Sequence, residues 1–238
     1  MNQIKEIAKM IDHSILQPAY TDEEMKKQCL MAKKYDVATV CIKPYAVKMA
    51  VELLKDTDVK ISCVIGFPHG NSTTAVKVFE TEQACRDGAV EIDMVINIGK
   101  AIGGDWDYVE KEIKEITDTC HRHHAIVKVI FETDYVVRTQ DKIKLCEICT
   151  RAGADFVKTS TGYGFVKQPD GNYNYKGATV SDVELMRKQT GPGVQVKSAG
   201  GVRTLDDLLK MKAAGATRCG ASATEAIMEE ADRRFGTK

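Results

Sequence analysis

Net charge is the first thing this sequence lacks. Lysine and arginine total 34, and aspartate and glutamate total 34. No global field therefore draws the chain to nucleic acid or to an anionic membrane, although a local basic pocket is left open. Long apolar runs are also missing, and no stretch can span a bilayer. The opening MNQIKEIAKMIDHSIL is an amphipathic helix pattern broken by charges, without the apolar segment or processing site of a signal peptide. These absences predict a cytoplasmic protein with neither nucleic-acid nor membrane partners. No linker, low-complexity tract or composition break divides the 238 residues. Neither a dinucleotide fingerprint nor a Walker-type loop is present. Cysteine is not scarce, at eight, but the spacing is irregular and most (Cys29, Cys41, Cys63, Cys85, Cys219) lie in apolar surroundings. There a thiol behaves as a small hydrophobe, so all eight are read as reduced.

What is present is alternation. Short β-branched runs at 12–16, 38–43, 60–67, 91–97, 126–132, 155–160, 194–198 and 217–222 read as strands. Between and after them, helical spacing recurs around 22–34, 45–55, 73–87, 106–121, 139–152, 179–189, 204–214 and 223–234. Strand–helix alternation implies a parallel sheet, and about eight units in a chain of this length favour a closed (β/α)8 TIM barrel. The expectation is one barrel domain over residues 1–238 with a short N-terminal helix. An open doubly wound sheet is the alternative.

Three of the predicted strands carry a lysine: Lys128 in AIVKVIFE, Lys158 in ADFVKTSTGYG and Lys197 in VQVKSAGG. Burying an ammonium is costly unless it is paired or neutralised. A lone strand lysine ordinarily lies at an edge or snorkels to water. A closed barrel has no edges, so three on consecutive strands point to function. Two such amines side by side, partly desolvated, lower each other's pKa. A neutral amine attacks carbonyls to form a Schiff base. Asp93, in VEIDMVINIG, interrupts another apolar strand. It reads either as a proton-transfer group or as a structural ion-pair partner.

Glycines supply the second signal. Gly200 and Gly201 follow one predicted strand, and Gly220 with Ser222 repeats the arrangement on the next. Glycine lets backbone approach a ligand, and a following helix N-terminus offers N–H groups to an anion. Phosphate sites on the last two units are a recurring feature of this barrel, so a phosphorylated substrate is expected. Three tempting features read as structural. CHRHH at 120–124 falls at a helix end, CEIC at 146–149 falls mid-helix, and His69 opens a loop.

Together IDHSILQP, VIGFPHGNSTTAVKVFETEQACRDGAVEIDMVINIG, VKVIFET, AGADFVKTSTGYG and VKSAGGVRTLDDLLKMKAAGATRCGAS resemble the deoxyribose-phosphate aldolase family, in order from about Ile11 to Ser222. The resemblance implies a class I aldolase on a barrel, without metal or organic cofactor. Such an enzyme reversibly cleaves 2-deoxy-D-ribose 5-phosphate to D-glyceraldehyde 3-phosphate and acetaldehyde. It implies that Lys158 forms the Schiff base, Lys197 depresses its pKa and Asp93 is the acid/base. It further implies supporting positions at Asp12, Cys41, Lys128 and Thr161, and phosphate contacts at Gly162, Gly200, Gly201, Gly220 and Ser222. The serine and threonines after Lys158 are expected to hydrogen-bond it, and a homodimer is expected.

The chain departs from the family pattern in four places. Ala223 stands where a second serine is common, and Lys43 where an uncharged residue is common. A long loop, GFVKQPDGNYNYK, runs between Tyr163 and Gly177, and the tail RRFGTK lacks a tyrosine. Alternative readings are a class I barrel aldolase for another sugar phosphate, or a silent sugar-phosphate-binding barrel.

Overall fold

Strand periodicity decides which side chains meet in this protein. The computed structural model describes residues 3–236, so the final two residues of the tail lie outside the described residues. Helix α1 (Gln3–Ala8) leads into β1 (Ile11–Ile15), α2 (Asp22–Lys34), β2 (Thr39–Ile42), α3 (Val47–Leu54), β3 (Lys60–Ile65), α4 (Thr74–Arg86) and β4 (Glu91–Val95). A short α5 (Ile98–Ile102) and the long α6 (Trp106–Arg122) precede β5 (Ile126–Ile130), α7 (Thr139–Ala152) and β6 (Phe156–Lys158). A hairpin of β7 (Val166–Lys167) and β8 (Tyr173–Asn174) follows. The chain ends with α8 (Val180–Gln189), β9 (Gln195–Ala199), α9 (Leu205–Ala213), β10 (Arg218–Ala221) and α10 (Thr224–Phe235).

Eight strands close into a parallel barrel in the order β1-β10-β9-β6-β5-β4-β3-β2. The expected strands appear in the expected order. The hairpin and α5 were not anticipated, because both are too short to show a hydrophobic period. Helix starts follow local chemistry. Thr21 and Glu24 form a reciprocal capping box at α2, and Thr204 and Asp207 form another at α9.

Side chains alternate across each strand. Ile92 and Met94 of β4, Val127 and Val129 of β5, Val157 of β6 and Val196 of β9 all join one buried apolar layer between sheet and helices. Their neighbours Glu91, Asp93, Lys128, Lys158 and Lys197 face the other way, into the barrel. The apolar core is thus a shell around an ionic interior. Of the eight cysteines, all unpaired, only Cys85 is not fully buried. Helix α7 buries Cys146 and Cys149, and His123 is the C-terminal cap of α6, so the one motif lies mid-helix and the other at a helix end, where the sequence put them.

Candidate active site

Lys158 and Lys197 sit directly opposite one another in the β6–β9 register, and Asp93 opposes Lys128 across β4–β5. All four side chains are buried and converge. Asp93 Oδ2 accepts from Lys158 Nζ at 2.6 Å and from Lys197 Nζ at 2.7 Å. Its Oδ1 accepts from Lys128 Nζ at 3.0 Å and from Ser62 Oγ at 2.9 Å. Both oxygens are fully used. Asp12 Oδ2 lies 2.6 Å from Lys197 Nζ and 3.0 Å from Lys128 Nζ. These are ion-pair contacts without the direction of hydrogen bonds.

The three lysines are not equivalent. Burial lowers the pKa of Lys158, the adjacent Lys197 lowers it further, and Asp93 only partly offsets them. Burial also disfavours the charged form of Lys197, but Asp12 and Asp93 outweigh it and hold that amine above the ordinary lysine value. Lys128 is held well above it, since Asp12, Asp93 and Glu91 overcome the same desolvation. Burial would raise Asp93, but the surrounding lysines keep it ionised. Of these three, Lys158 alone is pushed toward the neutral, nucleophilic form.

A cavity of about 360 Å³ opens above this cluster. Asp12, Cys41, Lys158, Thr161, Gly162, Lys197, Gly200, Gly201, Gly220 and Ser222 all line it. Asp93 and Lys128 lie beneath its floor. One wall is apolar, where Leu16, Cys41 and Val64 pack with Phe67 and Tyr163. The opposite side is backbone-rich. Gly200 has φ +86°, a conformation that disfavours any side chain. Its carbonyl accepts from Ala178 N, and a Cβ at Gly177 would fall 2.5 Å from that oxygen. A Cβ at Gly220 would press to 3.4 Å from Lys197 Cε.

Two expectations need correction. The hydroxyls after Lys158 do not bond its amine. Thr159 bonds the backbone of Ala199, Ser160 bonds Thr133, and Thr161 bonds Glu132. Strand alternation turns Thr159 away from Lys158, and the other two already lie beyond the strand. Second, the N-terminal N–H groups of the helix after Gly200-Gly201 are not all free for an anion, because Thr204 and Asp207 already cap it. Helix α10 starts instead at Ala223, which supplies no side-chain cap. Lys43 bends back to the Tyr20 carbonyl at 3.0 Å and does not line the cavity.

Several contributors were missed. Glu91 and Arg218 join the charged interior, and strand period could have found them, since Glu91 shares a face with Asp93 and Arg218 with Gly220. Phe165 and Tyr175, which flank the hairpin, meet edge-on at 5.4 Å and reach the cavity. No sequence signal marked them. Glu132 is buried at φ +56°, and burial pushes its carboxyl up to about 7 against the opposing hydrogen bonds from Thr161. Non-glycine backbone held in this region near a cavity is a recurring mark of functional sites.

Comparison with known proteins adds independent findings. A family model described as DeoC/LacD family aldolase matches residues 6–229. The deoxyribose-phosphate aldolase of Caldanaerobacter subterraneus subsp. tengcongensis is 51% identical over 94% of this chain and 93% of its own length. That of Rhodopirellula baltica is 47% identical over 98% and 92% respectively. The tetrameric deoxyribose phosphate aldolase of Aeropyrum pernix superposes with a TM-score of 0.84 at 28% identity, covering 95% of this chain and 91% of that one.

Proposed function

This chain belongs to the DeoC/LacD family of aldolases, and on that premise we propose that Lys158, Lys197 and Asp93 carry out its chemistry. The reaction is the reversible cleavage of 2-deoxy-D-ribose 5-phosphate to D-glyceraldehyde 3-phosphate and acetaldehyde. One observation supports the assignment of residues above the others. Two amines share a single carboxylate oxygen, at 2.6 and 2.7 Å, and only Lys158 has its pKa lowered.

Neutral Lys158 attacks C1 of the open-chain aldehyde, and the carbinolamine loses water to leave an iminium. A base takes the C3 hydroxyl proton, the C2–C3 bond breaks, and its electron pair passes into the iminium to form an enamine. D-Glyceraldehyde 3-phosphate departs. Protonation at C2 and hydrolysis then release acetaldehyde and return the amine. Asp93, with Lys197 beside it, is placed to move protons at the carbinolamine and enamine stages. The apolar wall of Leu16, Cys41 and Tyr163 suits the carbon that bears no hydroxyl. Gly162, Gly200, Gly201, Gly220 and Ser222, with the uncapped start of α10, suit the phosphate.

Residues 1–238 act as one catalytic domain, a reading supported by β1 pairing with β10 to close the sheet. Cytoplasmic residence fits eight unpaired cysteines. A homodimer is the proposed assembly, which light scattering distinguishes from a tetramer. Borohydride reduction in the presence of acetaldehyde tests the chemistry. One ethyl group on Lys158, located by peptide mapping, is expected. A folded protein left unlabelled would remove the imine reading.

A further inference from the structure

Asp93 belongs to more than the two amines nearest the cavity. Its Oδ2 meets Lys197, Lys197 meets Asp12 Oδ2 at 2.6 Å, and Asp12 Oδ1 accepts from Arg218 Nη1. Arg218 Nη2 donates to Glu91 Oε1 at 2.9 Å, Glu91 Oε2 lies 2.5 Å from Lys128 Nζ, and Lys128 returns to Asp93 Oδ1 at 3.0 Å. The contacts close a ring in which three acids and three bases alternate. Lys158 hangs from it at Asp93 as a fourth base.

All seven groups lie inside the barrel, and the most exposed side chain, Arg218, retains 17% of its surface. Counter-ions have little access, so an unbalanced charge there is expensive. Losing one proton balances the set, and the partner counts decide which amine loses it. Lys128 touches three carboxylates and Lys197 two, whereas Lys158 touches only Asp93.

We propose that Glu91 and Arg218, which do not line the cavity, are positioning residues that complete this charge balance and so select Lys158 as the neutral amine. The inference rests on Lys158 being the imine-forming lysine. Arg218 is faced by Asp12 of β1, by Glu91 of β4, by the Phe156 ring of β6 at 5.9 Å and by Lys197 across the β9 register. Lys158 is faced by Asp93, Lys197 and Cys41, with Glu132 beyond the end of β5. Lys128 of β5 also faces Arg218, across the Asp12 and Glu91 carboxylates that the two share.

The test is cyanoborohydride trapping with acetaldehyde, with the initial rate of Lys158 ethylation followed against pH. Arg218→Met removes a positive charge and is expected to raise the midpoint of the acid limb. Glu91→Gln removes a negative one and is expected to lower it. Each shift is on the order of one pH unit, as for a unit charge roughly 10 Å away at an effective dielectric constant of ~20. The double variant Arg218→Met/Glu91→Gln and the single variant Arg218→Lys both keep the balance and are expected at the wild-type midpoint. A purely structural role would weaken both single variants without opposite shifts. Unmoved midpoints, or two shifts of the same sign, would overturn the proposal. If a single variant does not fold, a displaced midpoint in Arg218→Lys or the double variant refutes it equally. Failure of wild-type Lys158 to label strikes the imine reading itself and is thereby told apart.

Discussion

Replacing Lys197 with methionine keeps most of the stem and deletes one charge. Both amines donate to the same oxygen of Asp93, at 2.6 and 2.7 Å. Their nitrogens therefore lie within about 5 Å, where two unit charges at an effective dielectric constant of ~20 repel by about 3 kcal/mol. That repulsion is worth about two pKa units on Lys158. The methionine also leaves Asp12 and Asp93 short of a cation, which pushes in the same direction. Lys158 in the variant therefore holds its proton at pH values where the wild type has lost it. The acid limb of kcat/KM should move up by about two units, so activity at neutral pH falls on the order of 100-fold and recovers in alkali. A full pH profile of the cleavage reaction, with Lys158 ethylation measured in parallel, checks this. Because Lys197 is also proposed to move protons, the position of the limb is the readout, not its height. A uniform loss at every pH with the limb unmoved would refute the tuning argument.

Glu132→Gln tests a carboxyl whose pKa rises on folding from 4.5 to about 7. A raised carboxyl contributes stability that is complete below pH 4.5 and is lost as pH rises through about 7. The variant should thus gain on the wild type by up to about 3 kcal/mol between mildly acidic and alkaline pH; parallel thermal melts across that range would contradict it. The buried pair of Lys77 and Glu112, at 2.7 Å between α4 and α6, also holds the Val95 carbonyl at the end of Asp93's strand and the Asn97 N–H just beyond it. Glu112→Ala should cost about 3–5 kcal/mol in denaturant unfolding, whereas Lys77→Met/Glu112→Leu should recover most of it. At the cavity mouth, Tyr175→Ala breaks the edge-on contact with Phe165 and should raise KM on the order of tenfold with kcat nearly kept. An unchanged KM would show that the hairpin does not reach the bound substrate.

The barrel was legible because each of its units repeats one pattern, a short β-branched run followed by a helical period. The buried lysines were legible for the opposite reason, since Lys128, Lys158 and Lys197 violate that pattern. Glu91 and Arg218 escaped notice although they violate it equally. They open their strands, where a charged residue looks like the end of a loop. The two are 127 residues apart in sequence, and only barrel closure brings them together. The hydroxyls after Lys158 were misassigned because adjacency in sequence is not adjacency on a strand face. Phe165 and Tyr175 flank a hairpin whose strands are two residues each, below any length at which alternation can be read.

Alternation also explains how the fold carries so much buried charge. Replacing one partner of a buried ion pair is costly, yet such pairs add little net stability over apolar packing. The ionic interior therefore cannot be what holds the barrel together. That task falls to the apolar shell on the outer strand faces, where Ile92, Met94, Val127, Val129, Val157 and Val196 are fully buried. Each of these residues is a chain neighbour of a charged one and points the opposite way. Stability and chemistry thus occupy opposite faces of the same strands. Conservative changes in the shell, such as Val157→Ala, should lower the unfolding free energy by a few kcal/mol, of the order of ~2, while leaving the acid limb of the Lys158 trapping profile in place. A shift of that limb in a folded Val157→Ala protein would mean that the two faces are coupled, and that the ring of charges depends on how tightly the shell is packed.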